Sequence, residues 1–318
     1  MAIKVLLGWL ALWSVSAQAE WHWSEHAIMG TRITLGFWLD GKTKNSDLIQ
    51  QQVLDELNRI DQTYSPYKET SELSKLNRQA AGSAQVVSNE MLTLVSHALL
   101  YGEKTEGAFD ITYASVGWKY DYRNKVSPKK QEIKNLLPAI DFRHVKLNEA
   151  KQTIAYDHKN VRIDLGGIAK GYAVDRAAVI LQKNGIKHAS ISAGGDTRIL
   201  GDKRGRPWVI GIKNPRGENS VIRIPIEDAA VSTSGDYERF YIDEQTGERV
   251  HHIINPKTGK SAGEVMSVTI IGPQGLDTDP LSTAVFVMGI KRGLALVETM
   301  DEFSAIIIDR DGKVHYSY

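Results

Sequence analysis

No cysteine occurs in the 318 residues, and that absence removes several kinds of chemistry together. A disulfide framework, a thiolate zinc site, a cysteine nucleophile and a lipid anchor on an N-terminal cysteine are all excluded. An exported chain without thiols also runs no risk of mispairing in an oxidising compartment. Charge of one sign is lacking as well. The formal net charge is +1 and no basic run interleaved with aromatics is found, which argues against a nucleic-acid partner. The sequence has no HExxH, no GxSxG elbow, no complete Walker loop and no GxGxxG. His22 and His26 lie four apart with no third ligand nearby, which fits a solvated pair. Long apolar runs are confined to the start, "MAIKVLLGWLALWSVSAQAE". The stretch Val5–Val15 is short for a bilayer span, and Ala17-Gln18-Ala19 has the small residues of a cleavage site, so residues 1–19 read as a secretory signal peptide. Cleavage removes Lys4 and leaves a chain with balanced charge, free in the periplasm and not a lipoprotein.

What remains, residues 20–318, suits one large domain or two intimately packed subdomains. "HAIMGTRITLGFWL" alternates like a strand. Ile49, Val53, Leu57 and Ile60 recur at helical spacing, with Ser46 placed to cap the helix. "YSPYKETSELSKLNRQAAG" reads as a connection holding a short helix, and "SNEMLTLVSHALLYGEKTEG" as a second amphipathic helix. Lys119–Lys134 is charged and reads as a surface excursion. "HVKLNEAKQTIAYD" has the look of a hairpin, and "VRID" of a strand feeding a helix that stops at Asn184-Gly185. Short strand patterns then follow one another until the last helix, "PLSTAVFVMGIKRGLALVETM", and a final strand, "SAIIID". The class is α+β, with mostly antiparallel strands and packed helices.

Four stretches carry groups able to do chemistry. In "DLGGIAKGYAVD", Gly166 and Gly167 stand at the head of a helix, where unpaired amides and the dipole favour an anion. Lys170 sits in the first turn, where a cation opposes the dipole unless a polyanion is bound, and Asp164 stands at the strand end. A tight strand-to-helix turn is the other reading. In "LDTDPLSTAVF", Asp279 and Thr283 are spaced i,i+4 and form a hard oxygen pair suited to magnesium, with Asp277 the competing carboxylate. Asp279 as a simple N-cap is the alternative. "AVSTSGDYERF" offers hydroxyls at Ser232, Thr233 and Ser234, as either a phosphate-binding loop or a polar turn. "HHIINPKTGK" ends a strand with two histidines, and imidazole is the natural proton acceptor near neutral pH.

Taken in order, "IMGTRITL", "TYSPYKETSELSKLN", "GAFDIT", "DLGGIAKGYAVDRA", "SAGGD", "VSTSGDYERF", "HHIINPKTG" and "DPLSTAVFVMG" closely resemble the ApbE family. That family consists of exported, magnesium-dependent FAD:protein FMN transferases. The resemblance implies an ApbE-like mixed fold and transfer of FMN from FAD to a threonine hydroxyl of a target protein, with AMP released. It also implies flavin contacts from Met29, Tyr64, Ala108, Phe109, Asp110, Asp164, Lys170 and Ile253, or Ile254 in its place. Mg2+ would be held by the Gly167 carbonyl and the side chains of Asp279 and Thr283. The proton acceptor would be His252, with Asp279 or Asp277 as the competitor. The acceptor protein would be a membrane electron-transfer subunit of the sodium-pumping NADH:quinone reductase or Rnf type. An FAD pyrophosphatase and a non-catalytic flavin carrier are the rival functions. Two positions depart from the family pattern: Asn255 replaces a common aspartate and Pro280 a common small residue.

Overall fold

The computed structural model describes residues 19–41, 45–217 and 220–317, so the expected signal segment lies outside it except for Ala19. Eight strands form one antiparallel sheet: β1 (Glu20–Ile28), β2 (Thr31–Leu39), β3 (Ala189–Ala193), β4 (Asp196–Leu200), β5 (Ala230–Gly235), β6 (Val265–Gly272), β7 (Ser304–Asp309) and β8 (Val314–Tyr316). Their order across the sheet is their order along the chain. The sheet is thus a meander into which everything else is inserted. β2 shows why it forms: Ile33, Leu35, Phe37 and Leu39 alternate into the core, as period-2 burial demands. β6, in the interior, is buried along nearly its whole length, as expected for a strand covered on both faces.

The helices on one face are α1 (Ser46–Tyr64), α2 (Glu72–Gln79), α3 (Asn89–Lys104), α4 (Ala169–Lys183) and α5 (Gly275–Val297). The first three begin on side-chain caps, though for α1 the cap is Asn45, which accepts the Leu48 amide at 3.0 Å, rather than Ser46. Ser71 and Ser88 do the same for α2 and α3. α4 ends as expected, with Gly185 in the left-handed conformation at φ 78°. α5 starts five residues before Pro280, so Asp279 lies inside the helix and is not its N-cap. By length and composition α5 could cross a bilayer, but it is half buried and packs against α4, β5 and β6. Gly289, at φ 76° and ψ −175°, breaks it, and the Glu264 carboxylate accepts the Ile290 amide at 3.2 Å just beyond the break.

The opposite face of the sheet is covered by a ribbon, Trp208–Lys213 paired with Ser220–Ile226, which sets Trp208 against Trp21, Ile199 and Val231. The charged excursion is not a free loop. Tyr120 donates to the Gly259 carbonyl at 2.9 Å, and Ser127 bonds the Tyr241 hydroxyl, so it closes over the turns after β5.

Candidate functional site

The segment leading into α4 is extended but joins no sheet. Asn77 of α2 substitutes for a neighbouring strand: its Oδ1 accepts the Ile163 amide and its Nδ2 donates to the Ile163 carbonyl, both at 2.8 Å. Asp164 follows, half-buried, with its carboxylate taking the Gly166 amide at 2.7 Å and the Tyr113 hydroxyl beside it. Burial raises its pKa above the ordinary carboxylate value. No side chain of its own caps α4. The Gly171 amide instead donates to Asp279 Oδ2 of α5 at 3.0 Å. Two glycines make that reach possible. A Cβ on Gly171 would stand 2.0 Å from the Gly275 carbonyl oxygen, and one on Gly275 would stand 2.5 Å from that of Gly171. The helix head is therefore partly occupied by carboxylates of the protein itself.

Lys170 differs from expectation for the same reason. Its ammonium sits 2.5 Å from Asp196 Oδ2 and 3.7 Å from Asp279 Oδ1. Burial opposes its charge, yet Asp196 and Asp279 more than offset this and raise its pKa. The cation at the wrong end of the helix dipole is thus compensated by two buried aspartates, without any ligand. Asp279, buried beside Asp196, has its pKa raised above the ordinary carboxylate value, by burial first and by its like-charged neighbour second. Asp196 had a signal in the sequence, the "SAGGD" block, but no periodicity pointed to its role; the tight Gly194-Gly195 turn delivers it to the start of β4.

Gly167, Asp279 and Thr283 do come together. Thr283 Oγ1 is 3.5 Å from where a Cβ on Gly167 would stand, and it bonds Ser234 Oγ at 3.1 Å. Ser234 also bonds Ser282 Oγ at 2.8 Å, and Ser282 donates to the Asp279 carbonyl at 2.9 Å. Ser232 meets Thr278 and Thr233 meets Thr269, each at 2.8 Å. The serine-threonine stretch is thus a sheet strand pinning α5, in keeping with the strand pattern of "AAVSTSGD", and not a phosphate-binding loop or a turn. Among the described residues no group of three His, Cys, Asp or Glu is arranged for a metal. What is present is a carboxylate, a hydroxyl and an adjacent main chain, with two buried aspartates against one ammonium. That hard-oxygen set with a residual negative charge fits a magnesium-type cation. Asp277 lies elsewhere, bonded to His97 Nε2 at 2.9 Å and the Tyr101 hydroxyl at 3.0 Å. Burial works against its charge, but those two partners hold its pKa below the ordinary value.

The expected flavin contacts divide. Met29 occupies the tip of the β1–β2 hairpin at φ 57°, followed by Gly30 at φ 66°, the two-residue turn that suits twisted strands. Phe109 packs against Gly167, its ring 3.1 Å from the Cβ position, with Ala108 buried beside it. The Asp110 carboxylate is turned into the chain, accepting the Thr112 and Phe142 amides at 2.8 Å each, and burial pushes it up to about 6. Tyr64 is only 3 % exposed, edge-on to Tyr172 at 6.4 Å in the seam between α1 and α4. The aromatic that faces outward is Tyr67, 71 % exposed and stacked on Trp118 at 5.7 Å. Trp118 in turn lies 3.5 Å beneath the Arg162 guanidinium. Periodicity gave no sign of this shelf, because both rings sit outside regular helix.

The two histidines separate cleanly. His251 is buried and structural: Nε2 bonds the Ala262 carbonyl at 2.6 Å and Nδ1 accepts the Ile253 amide at 3.3 Å. Ile253 is buried and its carbonyl accepts the Ala262 amide at 2.9 Å. His252 lies just beyond the strand, and its Nδ1 has no partner among the described residues. Burial, then the charges of Arg239, His251 and Lys170, push it down to about 3, so the ring is neutral at pH 7. Asn255 builds the following turn, its Oδ1 accepting the Lys257 amide at 2.9 Å, a role that needs no acid.

The ApbE family model matches residues 29–307. The chain belongs to the ApbE family. Among curated relatives, the FAD:protein FMN transferase of Treponema pallidum is 32% identical over 286 residues, 84% of this chain and 78% of that protein. The FAD:protein FMN transferase of Vibrio cholerae is 32% identical over 278 residues, 85% of this chain and 82% of that one. Of solved structures, the ApbE protein of Thermotoga maritima superposes with a TM-score of 0.86 at 34% identity, covering 94% of this chain and 97% of its own. The flavin transferase ApbE of Vibrio cholerae superposes with a TM-score of 0.85 at 30% identity, covering 94% and 98%. The family match takes in the blocks from Met29 onward, including the α4 head and the start of α5.

Proposed function

We infer that this ApbE-family chain is a flavin transferase that moves FMN from FAD onto a threonine hydroxyl of an acceptor protein and releases AMP. The observation that carries this reading is the convergence of Gly167, Lys170, Asp196, Asp279 and Thr283 where α5 crosses the head of α4. A phosphoryl transfer of this kind asks little covalent chemistry of the protein and much positioning and charge control. The threonine oxygen attacks the phosphorus on the FMN side of the diphosphate. The bond from that phosphorus to the bridging oxygen breaks, and AMP leaves with the oxygen. The threonine proton passes to a base, for which His252 is suited by its neutral ring and unengaged Nδ1. Asp277 is the weaker candidate, because His97 and Tyr101 both bond its Oδ1 and hold its pKa below the ordinary value.

A magnesium-type cation, held by the Gly167 carbonyl with Asp279 and Thr283, would neutralise charge developing on the diphosphate. Lys170 and Asp196 set the charge of that cradle, Ser234 fixes the Thr283 hydroxyl, and Phe109 walls it. The N-terminal segment supports export to the periplasm. That compartment would give the enzyme access to acceptor subunits of membrane electron-transfer complexes of the sodium-pumping NADH:quinone reductase or Rnf type. The test is incubation of the mature chain with FAD, Mg2+ and a protein bearing an acceptor threonine. Covalent flavin fluorescence on that protein supports transfer. Free FMN and AMP alone would make the chain a pyrophosphatase, and intact FAD a carrier.

A further inference from the structure

The Lys170 ammonium is already balanced by two aspartates, which leaves a gap: a diphosphate in this site still needs a cation supplied by the protein. The surrounding arginines are engaged elsewhere. Arg216 grips Asp236 with two bonds of 2.8 and 2.6 Å, Arg249 lies over the Phe240 ring and within 3.8 Å of the same carboxylate, and Arg162 covers Trp118. Arg239 is different. It follows β5 and is exposed, and among the described residues it forms no ion pair within 4 Å. Its backbone is nonetheless fixed, because its carbonyl accepts the His252 amide at 3.1 Å and Phe240 pairs with His251 in the next strand. Its Nη2 comes within 3.5 Å of where a Cβ on Gly30 would stand, over the Met29–Gly30 tip. From there its charge acts on Asp164, Lys170, His252 and Tyr67 together.

We propose that Arg239 is the guanidinium that grips the diphosphate of FAD, opposite the Asp279 and Thr283 side of the site. The inference rests on the flavin-transferase reading and adds to it the protein group that meets the phosphates. A planar guanidinium can take two phosphate oxygens at once, and an unpaired one held over the Met29–Gly30 tip, with its charge felt at Asp164, Lys170 and His252, is placed to receive an anion. Anchoring on the backbone that also holds His252 keeps the phosphate grip and the base in fixed relation.

The test uses two ligands that share the isoalloxazine ring and differ in phosphate. The purified chain is titrated with FAD and with riboflavin, following flavin fluorescence, for wild type, Arg239→Gln and Arg239→Lys. Loss of a charge-assisted hydrogen bond should raise the FAD Kd of the glutamine variant about tenfold to a hundredfold. The riboflavin Kd should stay put, and lysine should recover part of the FAD loss. A glutamine variant that weakens both ligands equally, or neither, overturns the proposal. An unchanged circular dichroism spectrum and Tm confirm that the exposed substitution leaves the fold alone. If wild type binds riboflavin as tightly as FAD, the diphosphate cradle itself falls, a result distinct from failure at Arg239.

Discussion

His252 shows how little a residue's identity says until its neighbours are known. Two adjacent histidines were equal in the sequence; burial and hydrogen bonds make one a strut and leave the other a buried, unpartnered nitrogen. For His252→Ala we expect transfer to slow by about a hundredfold or more, the range of a lost general base, with the FAD Kd little changed. Equal losses in rate and affinity would make it a binding residue. Its depressed pKa has a further consequence with a definite sign. Between its ordinary 6.5 and its folded value of about 3, the unfolded chain takes up the proton and the folded chain does not. Stability should therefore fall as pH drops through that window, and the urea midpoint of His252→Gln should fall less between pH 7 and pH 5 than that of wild type. Asp279→Asn keeps an acceptor for the Gly171 amide while removing the charge. That variant should fold and bind flavin yet lose metal-dependent turnover, and unchanged turnover would remove Asp279 from the metal site.

At the scale of elements, the crossing of α4 and α5 decides whether the site exists. Gly171 and Gly275 touch backbone to backbone, and only that approach sets Asp279 against the α4 head. Gly171→Ala forces a methyl into a carbonyl oxygen, so it should cost about 1–3 kcal/mol or more and separate the helices. Denaturant melts and turnover should fall together in this variant. Such a contact is invisible in a linear pattern: Gly171 reads as an ordinary small residue inside a helix, and Gly275 as part of a turn. The i,i+4 spacing of Asp279 and Thr283, by contrast, was legible, because a helix surface repeats on that interval. The strand expected at Val161–Asp164 failed for an equally physical reason, since a side-chain amide can satisfy an extended segment as a sheet neighbour would.

Across the whole molecule, sheet and helices followed from alternation and helical spacing, and the mixed class was legible from the outset. Non-local pairings were not: the closure of the excursion over the turns after β5, the shelf of Tyr67 and Trp118, and the balancing of Lys170 by Asp196 all join distant parts of the chain. Because a buried cradle with residual negative charge links α4, α5 and the β3–β4 turn, Mg2+ should stabilise the entire fold. At a hundred times its Kd the gain is about 2.7 kcal/mol by mass action. Thermal melts with and without Mg2+ would read it as a rise in Tm, lost in Asp279→Asn.

The break at Gly289 divides one long helix into two pieces. The front piece holds Asp279 and Thr283 and is clamped to α4 and β5; the rear piece begins afresh under Glu264. The rear piece still bears on the cradle, because Arg292 pairs with Glu106 at 2.9 Å, three residues ahead of the Phe109 that packs on Gly167. A Cβ on Gly293 would stand 2.7 Å from Val285, and Val297 is fully buried, so a change in that outer half passes inward through contacts across the bend and not along one straight axis.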